Sequence, residues 1–334
     1  MVHRALDPGK CQIKVHPAYI IGLVPRVGTI GPGHVSNSVG FLWKDATFVP
    51  EVRSPTVRRR ELGALLRKLR TEQGLTDEQA AERLMVSMSK LSRMETGHGI
   101  ATPRDIRDLC DLYDVTDQAE REHMMQLARE GKQTGWWQGY DLPYGTYVGL
   151  EADAVATKYY QSTIIPGLLQ TADYARAIHE VVVPRLAPTR IDELVEVRMT
   201  RQRRLTEDPL LNVWAVIDEA ALRRVVGGSL VMRAQLDWLV KMARRPNVTM
   251  QVISYAAGAH PAMDSTFRIL EFGGSVPAVV YVEGLVGWIY VDRLGDIHRY
   301  QEVFQSLCSI SLSPQDSIRL IKKISAEYED ALIS

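Results

Sequence analysis

Between positions 76 and 93 stand Thr76, Gln79, Ser87, Met88, Ser89, Lys90 and Arg93. Their chemistry suits a nucleic-acid duplex. A guanidinium such as that of Arg93 pairs bidentately with guanine O6 and N7, worth ~1–3 kcal/mol of base discrimination. The Ser89 hydroxyl donates or accepts at several base edges, and Met88 suits a thymine methyl. Thr76, Gln79, Ser87 and Lys90 are candidates for phosphate oxygens, contacts that set register without reading sequence.

To use these groups the chain needs two short helices at a steep angle, joined by a turn of three or four residues. The local signals predict them. Leu62, Leu65, Leu66 and Leu69 recur at helical spacing, placing a first helix over 57–69 that is closed by Gly74. Thr76 followed by Gln79 is a capping-box pattern opening a second helix that runs to about 84. Ser87 caps a third over 88–95, and Gly97 stops it. Ala80, Ala81 and Leu84 form the buried face of the second helix, and Leu91 and Met94 that of the third, with Val86 in the turn. Pro103 opens a fourth helix with Ile106, Leu109, Cys110 and Tyr113 on one face, and a fifth covers 117–129. From Arg53 to Arg70 seven basic residues face a single acid, Glu61, which reads as a local electrostatic footprint for DNA.

The stretch from Leu75 to Gly97 resembles the XRE/Cro-repressor type of helix-turn-helix. The spacing from Thr76 through Ala81 and Val86 to Leu91, Glu95 and Gly97 matches that pattern without a gap. Asp77 stands where the family often has a phosphate-touching Gln, and Met85 replaces the usual turn Gly. The resemblance implies a double-stranded DNA operator, read by a homodimer on half-sites about one helical turn apart. Glu95 is expected to tie the third helix to a neighbour rather than to read a base.

The rest of the 334 residues is organised differently. Residues 1–55 are rich in Gly, Pro, Val and Ser and are expected to be a disordered extension. The helix-turn-helix domain is assigned to 56–130, an aromatic and Gly-rich linker to 131–149, and a C-terminal domain to 150–331. The fold class expected is an all-α domain of about five helices followed by a mixed α+β or α/β domain. In the latter, helices are predicted at 149–160, 170–181, 188–206, 218–226, 229–244, 293–309 and 313–331. Strands are predicted at 211–217, 248–254, 266–272, 278–283 and 287–291. Formal net charge is zero, so global charge offers no support for nucleic-acid binding. Cys11, Cys110 and Cys308 are too scattered for a disulfide scaffold or a zinc ribbon. No apolar run approaches a membrane span. A cytoplasmic location and no membrane partner are expected.

In the C-terminal domain no Walker loop, GxSxG or HExxH occurs. No catalytic residue, cofactor or metal is assigned, and an enzyme is not expected. Asp218 is read as a helix cap. The predicted helix 188–206 carries Arg190, Arg198, Arg201, Arg203 and Arg204, either a solvated face or a dock for an acidic partner. Arg201, Arg203, Arg204 and His260, the last in a loop after a predicted strand, are the candidates for partner or effector contact.

Several stretches, among them Gly135-Trp136-Trp137, Ile165 to Thr171, Asp173 to Arg176, Arg201 to Leu205 and Asp218 to Arg223, resemble the domain that follows the helix-turn-helix in an actinobacterial family of antitoxin-like (WhiJ-like) regulators. That resemblance implies a small acidic partner protein encoded nearby. The expected function is a sequence-specific transcriptional regulator whose C-terminal domain binds that partner or an effector. The alternative is an antitoxin-like protein that sequesters its partner, with DNA binding secondary.

Overall fold

The computed structural model describes residues 54–182, 186–274, 276–285 and 287–333. The extension expected over 1–55 lies outside them but for its last two positions, which are built into the fold. Ser54 caps helix α1 (Pro55–Glu72), its side chain accepting from the Val57 amide, and Pro55 takes the first turn, where no amide hydrogen is required. α2 (Asp77–Arg83) opens on a complete capping box: Thr76 Oγ1 accepts from the Gln79 amide at 3.1 Å, and Gln79 Oε1 from the Thr76 amide at 3.0 Å. α3 (Met88–Glu95) starts on Ser87, α4 (Pro103–Leu112) on Thr102 and α5 (Gln118–Glu130) on Asp117. Leu62, Leu66, Ala80, Ala81, Leu91, Met94, Ile106, Leu109 and Leu127 meet in one apolar core.

The second half is a mixed α/β domain around a six-stranded sheet. In chain order it comprises α6 (Gly145–Asp153), β1 (Ala156–Gln161), α7 (Ala172–Val182), α8 (Pro188–Gln202), β2 (Asn212–Asp218), α9 (Glu219–Arg223) and α10 (Ser229–Met242). Then follow β3 (Val248–Ile253), β4 (Phe267–Glu271), β5 (Val279–Gly284), β6 (Gly287–Val291), α11 (Leu294–Ile310) and α12 (Pro314–Ile333). The strand order is β3-β2-β1-β4-β5-β6. β1, β2 and β3 run parallel, and each remaining neighbour pair is antiparallel.

One predicted element is corrected. The helix expected over 149–160 is in fact the end of α6 and the whole of β1, which lies in the middle of the sheet. Tyr159 packs into the core on one face and Tyr160 into the core on the other. A strand buried on both faces shows no period-2 alternation, which is why the pattern was misleading. The segment expected as a linker, 131–149, is likewise part of the C-terminal core: Trp137, Tyr147 and Val148 are buried in it.

The helical domain is seated on this core. Val57 of α1 is buried among the C-terminal apolar residues. Ser54 Oγ donates to the Gly149 carbonyl at 2.8 Å, and the Ser54 amide donates to the Asp153 carboxylate. A Cβ on Gly149 would lie 2.5 Å from both Thr56 Oγ1 and the Trp137 ring, so glycine is what lets α1 and α6 approach. On the far side His98 meets the Tyr290 ring edge to face at 6.1 Å.

Candidate nucleic-acid interface

Three contacts fix α3. Leu91 and Met94 bury its inner face. Glu95, also buried, is gripped by Arg70 of α1, from Nε to Oε1 at 2.6 Å and from Nη2 to Oε2 at 2.9 Å. The same guanidinium donates from Nη1 to the Leu75 carbonyl at 2.8 Å, so it also fixes the chain entering α2. Gly63 of α1 sits against the end of α3, where a Cβ would fall 2.6 Å from the carbonyl oxygens of Met94 and Glu95. The turn between α2 and α3 closes through bonds from the Met85 amide to the Glu82 carbonyl and from the Val86 amide to the Ala81 carbonyl, both 3.0 Å. Met85 there takes a left-handed conformation with φ 54°, the geometry that glycine adopts most readily.

What this leaves outward is the start of α3. Met88, Ser89 and Arg93 are exposed, and Arg93 forms no ion pair among the described residues. Ser87, Ser89, Lys90 and Arg93 line a concavity of about 290 Å³ that continues over Gly99 and Ile100. Thr76 and Gln79 are exposed at the start of α2. Their oxygens serve the capping box, leaving the Thr76 hydroxyl hydrogen and the Gln79 amide group for a phosphate. Lys90 Nζ pairs with Asp105 of α4 at 2.6 Å. Burial works against the Asp105 charge, but Lys90 and Thr102 outweigh it and hold the carboxyl below its ordinary range. Lys90 would have to exchange this partner for a phosphate.

The basic run on α1 does less toward DNA than its composition implied. Arg58 pairs with Glu61 and Glu130, Arg60 donates to the Thr96 carbonyl and faces Asp292 at 3.9 Å, and Arg70 holds Glu95. These charges are used inside the fold. No signal in the sequence announced the partners, which lie 25 or more residues away in all but one case.

The four C-terminal candidates separate. Arg201, Arg203 and Arg204 border one cavity of about 400 Å³ at the junction of the two halves, together with Ser54, Trp136 and Glu207. Only Arg203 is exposed. Arg201 is buried and clasps Glu151 from Nε (2.6 Å) and Nη2 (2.9 Å). Burial alone would raise the Glu151 carboxyl; Arg201, aided by the Tyr147 and Tyr159 hydroxyls, holds it below its ordinary range instead. Arg204 donates to the Pro209 and Ala154 carbonyls. The expected basic docking face on α8 is therefore mostly turned inward.

His260 lies apart, at the ends of the parallel strands. Its Nδ1 accepts from the Ala262 amide at 3.3 Å, which places the ring proton on Nε2, 3.2 Å from the Tyr160 hydroxyl. Both ring nitrogens are occupied by the fold. Asp218 caps α9, accepting from the Ala220 amide at 2.8 Å. Among the described residues no group of three His, Cys, Asp or Glu is placed to hold a metal. Nor is any helix there long and apolar enough to cross a membrane.

Comparison with known families gives two matches. Residues 61–124 match a family described as Helix-turn-helix domain, and residues 144–323 match one described as Domain of unknown function (DUF5753). No curated protein and no solved structure matches the chain.

Proposed function

We propose that this chain, which belongs to the DUF5753 family and carries a helix-turn-helix domain ahead of it, is a sequence-specific transcriptional regulator whose C-terminal domain controls operator binding. The observation that carries the reading is the outward start of α3: Met88, Ser89 and unpaired Arg93 on a helix locked from beneath by Leu91 and the Arg70–Glu95 pair. Base contacts fall to these three residues. Phosphate contacts fall to Thr76, Gln79, Ser87 and, once it leaves Asp105, Lys90.

The controlling role of the C-terminal domain is supported by its seat against the helical domain and by the cavity at their junction. A ligand in that cavity would touch the cap of α1 and the end of α8 together. Membership of the WhiJ-like group, and with it a small acidic partner protein encoded nearby, rests on the motifs from Gly135 to Arg223. Action as a homodimer rests on the helix-turn-helix type.

The test is a fluorescence anisotropy titration of the full chain on operator and on random duplex, with and without the small acidic neighbour. The reading expects operator affinity to exceed random-DNA affinity by about 10³ or more. It also expects the partner to shift operator affinity by the same factor that operator shifts partner affinity. Equal affinity for both duplexes would refute the DNA-reading function. Identical partner affinity with and without operator would refute the coupling.

A further inference from the structure

The two edges of the six-stranded sheet are finished in opposite ways. At β3 the chain covers its own edge. The Val252 amide donates to Ser317 Oγ at 2.9 Å, the Leu312 amide donates to the Val252 carbonyl at 2.9 Å, and Gln251 Nε2 reaches the Leu312 carbonyl at 3.1 Å. At β6 nothing comparable happens. Among the described residues, only β5 hydrogen-bonds to the backbone of Gly287–Val291.

Open edges are ordinarily guarded by charge, proline, a bulge or a covering loop, because bare amides and carbonyls invite another strand. The segment Gly-Trp-Ile-Tyr-Val has no charged residue and no proline. Two of its side chains are apolar and exposed, Ile289 at 64% and Trp288 at 40%, while Tyr290 and Val291 are half-buried against the two cores. Leu285 at the hairpin tip and Leu294 just beyond the strand are exposed as well. A twofold contact along this edge would bury these four apolar side chains from each copy, the kind of surface that a specific interface covers.

We infer that β6 joins the β6 edge of a second copy of this chain, antiparallel, extending the sheet across a twofold axis; this rests on the reading that the chain binds its operator as a dimer. The geometry favours a second copy over another occupant. Antiparallel edge pairing places the twofold axis perpendicular to the sheet, so an element on one face of the first copy meets its symmetry mate on the same face. The helical domain lies on the face that bears Tyr290, where His98 packs on that ring. Arg60 reaches Asp292 at 3.9 Å, one residue past the strand. Pairing at β6 thus brings two helix-turn-helix domains to one side, flanking the axis, which is the arrangement needed to read two half-sites.

The experiment is sedimentation velocity of the full chain and of Ile289→Lys over a concentration series, with circular dichroism to confirm unchanged folding. The wild-type chain is expected to be a dimer, and Ile289→Lys to weaken dimerisation by about 100-fold or more. A dimer that Ile289→Lys leaves intact overturns the edge assignment while the dimer reading stands on another surface. A wild-type chain that stays monomeric, both free and on operator DNA, overturns both. Should Ile289→Lys misfold, amide hydrogen exchange of the wild-type chain decides. Exchange at 288–290 that slows with protein concentration supports the seam, and concentration-independent exchange overturns it. Protection caused by a co-purified foreign strand would also overturn it.

Discussion

Arg70 and Glu95 meet in two parallel hydrogen bonds, 2.6 and 2.9 Å long, between the end of α1 and the end of α3. The pair is largely removed from solvent, with the Glu95 side chain only 3% exposed. Losing Arg70 leaves the buried Glu95 carboxylate with only the more distant and half-exposed Arg67, at 3.7 Å, which is costly. Arg70→Ala is therefore expected to lower stability by about 3 kcal/mol. The double variant with Glu95→Gln should lose much less than the sum of the single losses. Denaturant unfolding of the four proteins measures both. Additive losses would show that the two side chains are not coupled and that α3 is held by packing alone.

Met85 predicts the opposite sign. Its φ of 54° strains a side chain that is 92% exposed and contributes little packing. Met85→Gly should relieve this and stabilise the helical domain by about 1 kcal/mol. A raised denaturation midpoint is the expected readout. A lowered midpoint would mean that the greater freedom of glycine in the unfolded chain outweighs the strain.

The C-terminal domain should weaken in mild acid. His179 of α7 is buried and its Nε2 has no partner among the described residues. Burial, reinforced by Arg198 and Arg201, pushes its pKa down to about 4. Above the unfolded value of about 6.5 both states are neutral, and this residue puts no pH slope on stability. As pH falls from there to about 4, the unfolded chain takes up a proton that the folded chain refuses. The expected loss across that window is about 3 kcal/mol. Stability measured at pH 7 and pH 4.5 should differ less in His179→Gln than in the wild-type chain. An equal difference in both would assign the acid sensitivity to other groups.

Local signals made the helical domain legible. Ser87, Thr76 with Gln79, Pro103 and Asp117 are start signals whose meaning is contained within four residues: Pro103 is the first residue of its helix and the others cap theirs. Leu91 and Met94 followed from spacing alone. What stayed hidden depends on distant neighbours. β1 reads as helix because Tyr159 and Tyr160 face different cores on opposite sides of the sheet. The basic run of α1 reads as a DNA footprint because Glu95, Glu130 and Asp292, which absorb it, are far along the chain. Tyr290, which receives His98, offered no local cue at all.

The most direct test of the account is selection of binding sites from a random duplex library by the full chain, followed by affinity measurements with Arg93→Ala. Arg93 is exposed on α3 and free of ion pairs among the described residues. The account predicts an enriched site. It also predicts that Arg93→Ala loses ~1–3 kcal/mol on that site and tolerates substitution at one base position in each half-site, with random-DNA affinity little changed. Equal losses on selected and random duplex would contradict it, because Arg93 would then be gripping phosphate and α3 would not be the element that reads sequence.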